Sequence, residues 1–329
     1  MVHNYRDNWV DYAKGVGILL VVYGHVVRGL IKAGLGIYLP LLNLVDEVIY
    51  GFHMPLFFFL SGCLFSQSAK KWGSKKLFLN KVDTILYPYI IWSLIQGAVE
   101  VFLSRYTNTG ADIASVLNLL WSPRAHFWFL YALFFIFIFC IFAKDWIIKN
   151  IALIFICSVF VLLFFPVTYI AAIDLTAHYL VFFVFGILFK QYTKYICLNK
   201  WMLGLYFVFS VFAFIFSKST LEAGMINRIM MFVYALSCIL LLSSFCMLLN
   251  NKYSLLLKVG QASLAIYLIH VIVGSGVRIV LNKFIGIQDF YILLLIGLLV
   301  SVSIPMIIWR YVGSIPLQCL FSSPFKFYK

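Results

Sequence analysis

The chain has 329 residues, 64% of them apolar and only 11% charged, with a mean hydropathy of +1.03. Those values lie outside the range of soluble globular domains, and the fold expected is an all-α, polytopic membrane protein. The formal charge of +14, which would suggest nucleic acid in a soluble chain, is assigned instead to asymmetry between membrane loops, so no nucleic-acid partner is expected.

A chain of this length accommodates about ten spans of ~20 residues with short connections. One membrane-embedded domain over residues 1–329 is expected, with no additional soluble domain. The candidate spans are roughly 11–31, 44–66, 84–104, 125–143, 150–165, 177–190, 201–217, 227–249, 261–282 and 289–312. With the N-terminus in the cytoplasm, only Arg28, Lys32, Arg105, Arg124, Lys218, Arg228, Arg278 and Lys283 of the 25 Lys and Arg fall outside, while residues such as Arg6, Lys194, Lys326 and Lys329 fall inside. That bias supports cytoplasmic N- and C-termini and an even number of spans. The cysteines at 63, 140, 157, 197, 238, 246 and 319 lie almost all in apolar runs at no metal-like spacing, and read as small buried hydrophobes, with no disulfide frame and no metal site expected.

The first span carries Asp11, Lys14 and His25 in an otherwise apolar run. It has no small-residue cleavage site after it and continues into Arg28, so it reads as a retained helix. On a helix, eleven positions bring Lys14 and His25 within about 20° of one line, with Asp11 about 40° from His25. The same spacing separates Lys14 from His25 by ~16 Å along the axis. One extended ligand reaches both. Taken singly, each has a plain structural role: His25 in a hydrogen bond between helices, Lys14 snorkelling to headgroups, Asp11 pairing with Lys14. Their shared face favours function for His25, because ionisable groups at membrane depth are costly and mark sites.

The second span contains Gly51-Phe-His53-Met-Pro55 and Ser61-Gly62. Pro55 is expected to break the helix, His53 to lie at about the depth of His25, and Ser61-Gly62 to permit close helix packing. Ser66 to Lys81 interleaves five lysines with Trp72, Leu77 and Phe78, reading as an amphipathic interfacial segment from which some lysines, Lys81 among them, meet an anionic ligand. Ala111 to Trp121 reads as a shorter segment of the same kind on the outer side. The fourth span opens with His126-Phe-Trp128-Phe-Leu130, a candidate lining pair at an aromatic belt. His178, isolated before Tyr179, reads as structural, and His3 lies in the polar tail. In the ninth span, Ser263, Tyr267 and His270 share one face at spacings of four and three.

Taken together, these residues resemble the acyltransferase 3 family of integral-membrane acyltransferases. Lys14 followed by ten residues and His25 is similar to its R/K-x10-H motif. Phe52-His-Met-Pro-Leu-Phe-Phe-Phe-Leu-Ser-Gly62 resembles its second-helix signature, in the form of the sugar O-acetylase members. His126-Phe-Trp128-Phe-Leu130 and Ser263-Leu-Ala-Ile-Tyr267-Leu-Ile-His270 resemble two later elements. Where members often show two arginines before a proline, Lys81 and Thr84 stand before Pro88. The resemblance implies a bundle of about ten helices taking an acyl group, usually acetyl, from cytoplasmic acyl-CoA to an acceptor, often a cell-envelope glycan. His25 would be the catalytic residue, as the general base of a direct transfer or as the carrier of a covalent acetyl-histidine relay, which the sequence leaves open. Lys14, Asp11, His53, Lys81, His126, Trp128, Tyr267 and His270 would bind donor or substrate, with Tyr267, His53 or His270 as oxyanion donors.

Acetyl-CoA enters this reading as a substrate, with no permanently bound cofactor. The other partners are a glycan acceptor, lipid-linked or not, and membrane lipid, and the sequence admits a homo-oligomer. The location implied is the bacterial cytoplasmic membrane. A transporter or flippase for an envelope glycan or lipid is the competing reading, and an inactive scaffold a third.

Overall fold

The computed structural model describes residues 8–36, 40–103, 116–193, 200–219, 224–249, 252–311 and 318–324. His3, Arg6, Arg105, Lys194, Cys197, Lys326, Lys329 and residues 111–115 of the expected outer segment lie outside them. Everything regular among the described residues is helical: α1 (Asn8–Lys32), α2 (Pro40–Tyr50), α3 (His53–Lys71), α4 (Ser74–Lys81), α5 (Tyr87–Phe102), α6 (Trp128–Phe142), α7 (Lys144–Lys149), α8 (Ile151–Phe164), α9 (Ala171–Tyr192), α10 (Lys200–Ser219), α11 (Met225–Leu248), α12 (Ser254–Gln261), α13 (Ser263–Ile279) and α14 (Phe290–Tyr311). In hydrocarbon each backbone N–H and C=O must be paired internally, and a helix achieves that within one segment. Among these residues, nine helical stretches are long and apolar enough to cross a membrane by length and composition, and Ile151–Phe164 is a shorter tenth. All ten fall on the expected spans.

Two breaks differ from expectation. The second span divides into α2 and α3 at Gly51–Phe52, ahead of Pro55. Pro55 falls in the first turn of α3, where its missing N–H is not needed. The carbonyl of Ile49 at the break takes the Phe52 N–H and the Nδ1–H of His53, at 3.2 and 2.8 Å. The lysine-rich segment, in turn, is continuous with the third span. α4 continues through a π-helical turn, Val82–Leu86, into α5, giving one stretch from Ser74 to Phe102. Pro88 stands at the start of α5, and the wider turn accommodates it without ending the helix. The amphipathic pattern holds: Lys70, Lys71, Lys75 and Lys76 are exposed while Leu77 is buried.

α1 is the axis of the bundle, packing against α2, α3, α11, α12, α13 and α14. Small residues make its closest crossings possible. A Cβ on Gly260 would run into the carbonyl of Asp11, and one on Gly15 would stand 2.6 Å from the carbonyl of Leu256. α1 and α13 run side by side in one direction, since His25 meets His270 and the Gly29 carbonyl takes a bond from Arg278 Nη1 at 3.0 Å. A second close crossing joins α3 and α9, where a Cβ on Gly62 would meet the carbonyl of Phe183 and one on Gly186 that of Phe59. Ser61-Gly62 thus packs as expected. The core between these crossings is aromatic, with Phe58, Phe59, Phe65 and Phe183 fully buried. Cys63, Cys140 and Cys246 are buried with it, whereas Cys157 is exposed on α8.

Above the core, the 118–124 turn is pinned by the hydroxyls of Tyr89, bonded to the Leu119 carbonyl, and Tyr131, bonded to that of Leu120 at 2.9 Å. Arg124 pairs with Glu100 at 2.6 Å. These contacts fix the start of α6, and with it His126.

Candidate active site

Three imidazoles meet inside the bundle. His25 comes from α1, His270 from α13 and His126 from the 3-10 turn Ala125–Phe127 that leads into α6. Their ring centroids stand 5.1 Å (His25–His270), 5.5 Å (His25–His126) and 5.0 Å (His126–His270) apart, each pair near edge-to-face. His126 and His270 are buried, and His25 is partly buried. Although close, they form no cluster able to hold a metal ion among the described residues.

The protons of two rings are assigned by their partners. His270 Nδ1 faces the carbonyls of Ile266 and Tyr267 at 2.9 and 2.8 Å, and His126 Nε2 faces the carbonyl of Tyr267 at 3.0 Å. A carbonyl only accepts, so each of these nitrogens carries the hydrogen and the other nitrogen of each neutral ring is a bare acceptor. Those acceptors, His126 Nδ1 and His270 Nε2, are buried without a hydrogen-bond partner. Leaving such a group unpaired costs about 1–3 kcal/mol, so either nitrogen gains from a donor brought to it. The ring nitrogens of His25 likewise reach no hydrogen-bond partner among the described residues.

Tyr267 and His126 lock each other in place. Tyr267 O–H donates to the His126 carbonyl while His126 Nε2–H donates to the Tyr267 carbonyl. This holds a turn that begins with Ala125 at φ +44°, a left-handed conformation costing a non-glycine residue about 1–2 kcal/mol. The protons of Tyr267, His270 and His53 all go to backbone carbonyls, so none of these neutral groups is a free donor for an oxyanion.

The cationic residues gather at the other end of α1. Asp11, 2% exposed, lies 3.9 Å from Lys14. Lys81 turns inward from the end of α4, within electrostatic range of Lys14 and with Nζ 4.4 Å from the Phe137 ring centre. Phe137 is eleven residues along the chain from His126, as Lys14 is from His25. By the helical rise both cations therefore stand ~16 Å from the imidazoles.

Among the described residues neither His53 nor Trp128 is in ring contact with the three imidazoles, although His53 is within electrostatic range of His25. The His53 ring is 5.1 Å from Tyr50, which carries the Arg28 guanidinium at 4.3 Å. Trp128 packs on Tyr179 at 5.1 Å. Tyr50 and Tyr179 both line a chamber of about 630 Å³ that also takes in His178, Asn227 and Arg228. Sequence reasoning read His178 as structural, counted Arg228 only among the outer basic residues and left Asn227 out. Their one signal was polarity within apolar helices, and nothing linked α9 to α11 before the chain folded.

The fold and site together define a polytopic helical membrane protein with a buried imidazole centre. The chain belongs to the acyltransferase 3 family, whose acyltransferase domain matches residues 7–310. Curated relatives include the nodulation protein NolL of Mesorhizobium japonicum, 30% identical over 139 residues, which make up 41% of this chain and 35% of the relative. NolL of Sinorhizobium fredii is 30% identical over 130 residues, 39% of this chain and 34% of the relative. The match thus spans about a third of the length of these relatives. No solved structure matches the chain.

Proposed function

We propose that this protein is a membrane O-acyltransferase that moves acetyl from cytoplasmic acetyl-CoA to a hydroxyl of a cell-envelope glycan, such as O-antigen or another surface polysaccharide, in the bacterial cytoplasmic membrane. Family membership supports the reaction class and weighs against a transporter. One observation carries the reading: an imidazole centre stands about three helical turns from a pair of ammonium groups, on two different helices at once. A donor with an anionic head and a long flexible arm ending in a thioester fits that separation, its head beside Lys14 and Lys81 and its thioester beside His25.

In this mechanism His25 takes the proton from the acceptor hydroxyl as its oxygen attacks the thioester carbonyl. The tetrahedral adduct collapses with cleavage of the C–S bond, and the thiolate recovers the proton from the His25 imidazolium. The products are an O-acetyl ester and free coenzyme A. The bare nitrogens of His126 and His270 accept hydrogen bonds from substrate and hold it against His25. A positioned base of this type contributes typically 10²–10⁴-fold.

The test is mass spectrometry of the surface glycan from cells carrying each variant. His25→Ala abolishes the added acetyl while the protein remains inserted; near-wild-type acetylation in that variant removes His25 from the mechanism. Lys14→Ala chiefly raises the KM for acetyl-CoA, and Lys14→Arg is mild because the charge is kept. Loss of the whole polymer, rather than of its acetyl groups, in cells lacking the protein would favour transport.

A further inference from the structure

Three cavities outside the imidazole centre share walls. The first, about 540 Å³, is a groove bordered by α10 and α11 and lined by Phe52, Phe207, Val211, Phe214, Tyr234 and Phe245. It follows α10 from Leu203 to Phe214, ~16 Å or about half of the hydrocarbon core. The second, about 330 Å³, meets the groove at Phe214 and adds Glu47, Ser217 and Lys218. The third is the chamber of about 630 Å³, which shares Tyr50, Gly51, Asn227 and Met231 with the second and adds Asp174, His178 and Arg228.

The walls change character in that order. The groove is hydrocarbon and aromatic ring. The middle cavity holds an ion pair, Lys218 to Glu47 at 2.7 Å, with both side chains about half exposed. In the chamber, Arg228 gives one bond to the Leu163 carbonyl at 3.3 Å and has no carboxylate partner among the described residues. Asn227 Oδ1 is buried there without a hydrogen-bond partner. Tyr50 on the chamber wall packs against His53, which is within electrostatic range of His25, and Tyr179 packs against Trp128.

We propose that these cavities together hold the acceptor as an amphiphile. Its sugar occupies the chamber, an anionic phosphate-type link lies beside Lys218 and Arg228, and its apolar chain runs down the groove between α10 and α11. A sugar without a chain leaves the groove unused, and an ordinary phospholipid leaves the chamber unused. Only a lipid-linked glycan matches all three. What then happens to the sugar rests on the acyltransferase reading, whereas the binding does not.

The test therefore measures binding without acetyl-CoA, on the full chain in phosphatidylcholine nanodiscs, by native mass spectrometry with undecaprenyl phosphate as probe. Undecaprenyl phosphate binds, inorganic phosphate does not displace it, and phosphatidylglycerol competes at least about tenfold less well. Arg228→Ala weakens binding about tenfold through loss of a charge-assisted contact. Val211→Trp, which fills the groove, weakens it at least as much, while Ile292→Trp, at an exposed position of α14, binds like the unmodified protein. Geranyl phosphate binds the unmodified protein more weakly than undecaprenyl phosphate, a comparison that needs no variant. Equal competition by phosphatidylglycerol, equal binding of the two prenyl phosphates, or full binding by a folded Val211→Trp protein overturns the proposal. Each of those results leaves the His25 assay, and the reading it tests, untouched.

Discussion

A neutral imidazole has one hydrogen to give, and the group that takes it decides what the other nitrogen does. At His126 and His270 backbone carbonyls take it, turning both rings into acceptors fixed beside His25. The motif spacing placed His25 on the same line as Lys14 from sequence alone, because eleven residues is close to a whole number of helical turns. The reciprocal bond between Tyr267 and His126 was not legible, since it joins residues on two elements far apart in the chain. Tyr267→Phe keeps the ring and removes only the hydroxyl. The expected result is a stability loss of about 1 kcal/mol and a fall in kcat of about tenfold, with the KM for acetyl-CoA unchanged because the cationic end lies ~16 Å away. Steady-state kinetics of the purified variant checks this, and a change confined to the donor KM would contradict it.

At the scale of whole helices, glycine decides where two rods touch. Periodicity and hydropathy marked all ten helical stretches, but an apolar run carries the same signal whichever neighbour it meets. Gly260 is the clearest case: its missing Cβ is the space occupied by the Asp11 carbonyl, which brings α12 against the start of α1 and sets the level of Lys14. Gly204 on α10 has nothing within 4 Å of a Cβ position. Gly260→Ala is therefore expected to lower the yield of monodisperse protein severely, because backbone has to move. Gly204→Ala is expected to be neutral or slightly stabilising, Ala being the better helix former by about 0.8–1 kcal/mol. Size-exclusion profiles and thermal unfolding of the two variants, compared side by side, measure the difference. The break at Gly51–Phe52 belongs to this scale as well. Pro55 pointed to a break in the right span, but a proline inside a first helical turn is tolerated, and the actual break is set by packing of Gly51 against Tyr234, where a Cβ would stand 2.6 Å from the ring.

For the molecule as a whole, ten membrane crossings, the nine long stretches among the described residues and the shorter Ile151–Phe164, would return the chain to the side it started from. The excess of basic residues on the Lys75 side leads us to expect that side in the cytoplasm. Cysteines introduced at Lys75 and Ser122, both exposed near opposite ends of the bundle, report on this directly. A membrane-impermeant maleimide applied to intact cells is expected to label Ser122→Cys, and Lys75→Cys only after permeabilisation. The reverse pattern would put the cationic end of α1 on the wrong side for a cytoplasmic donor and refute the proposed direction of transfer.

The sequence by itself determined the class of molecule, its ten apolar stretches and the line joining Lys14 to His25, because hydropathy and helical pitch act within one segment. Tertiary structure alone decided which imidazoles meet, which nitrogens are left bare, and that Tyr50, His178, Asn227 and Arg228 line a common chamber. Those properties depend on how closely helices approach and on which carbonyl lies opposite each ring, and residues distant in the chain settle both.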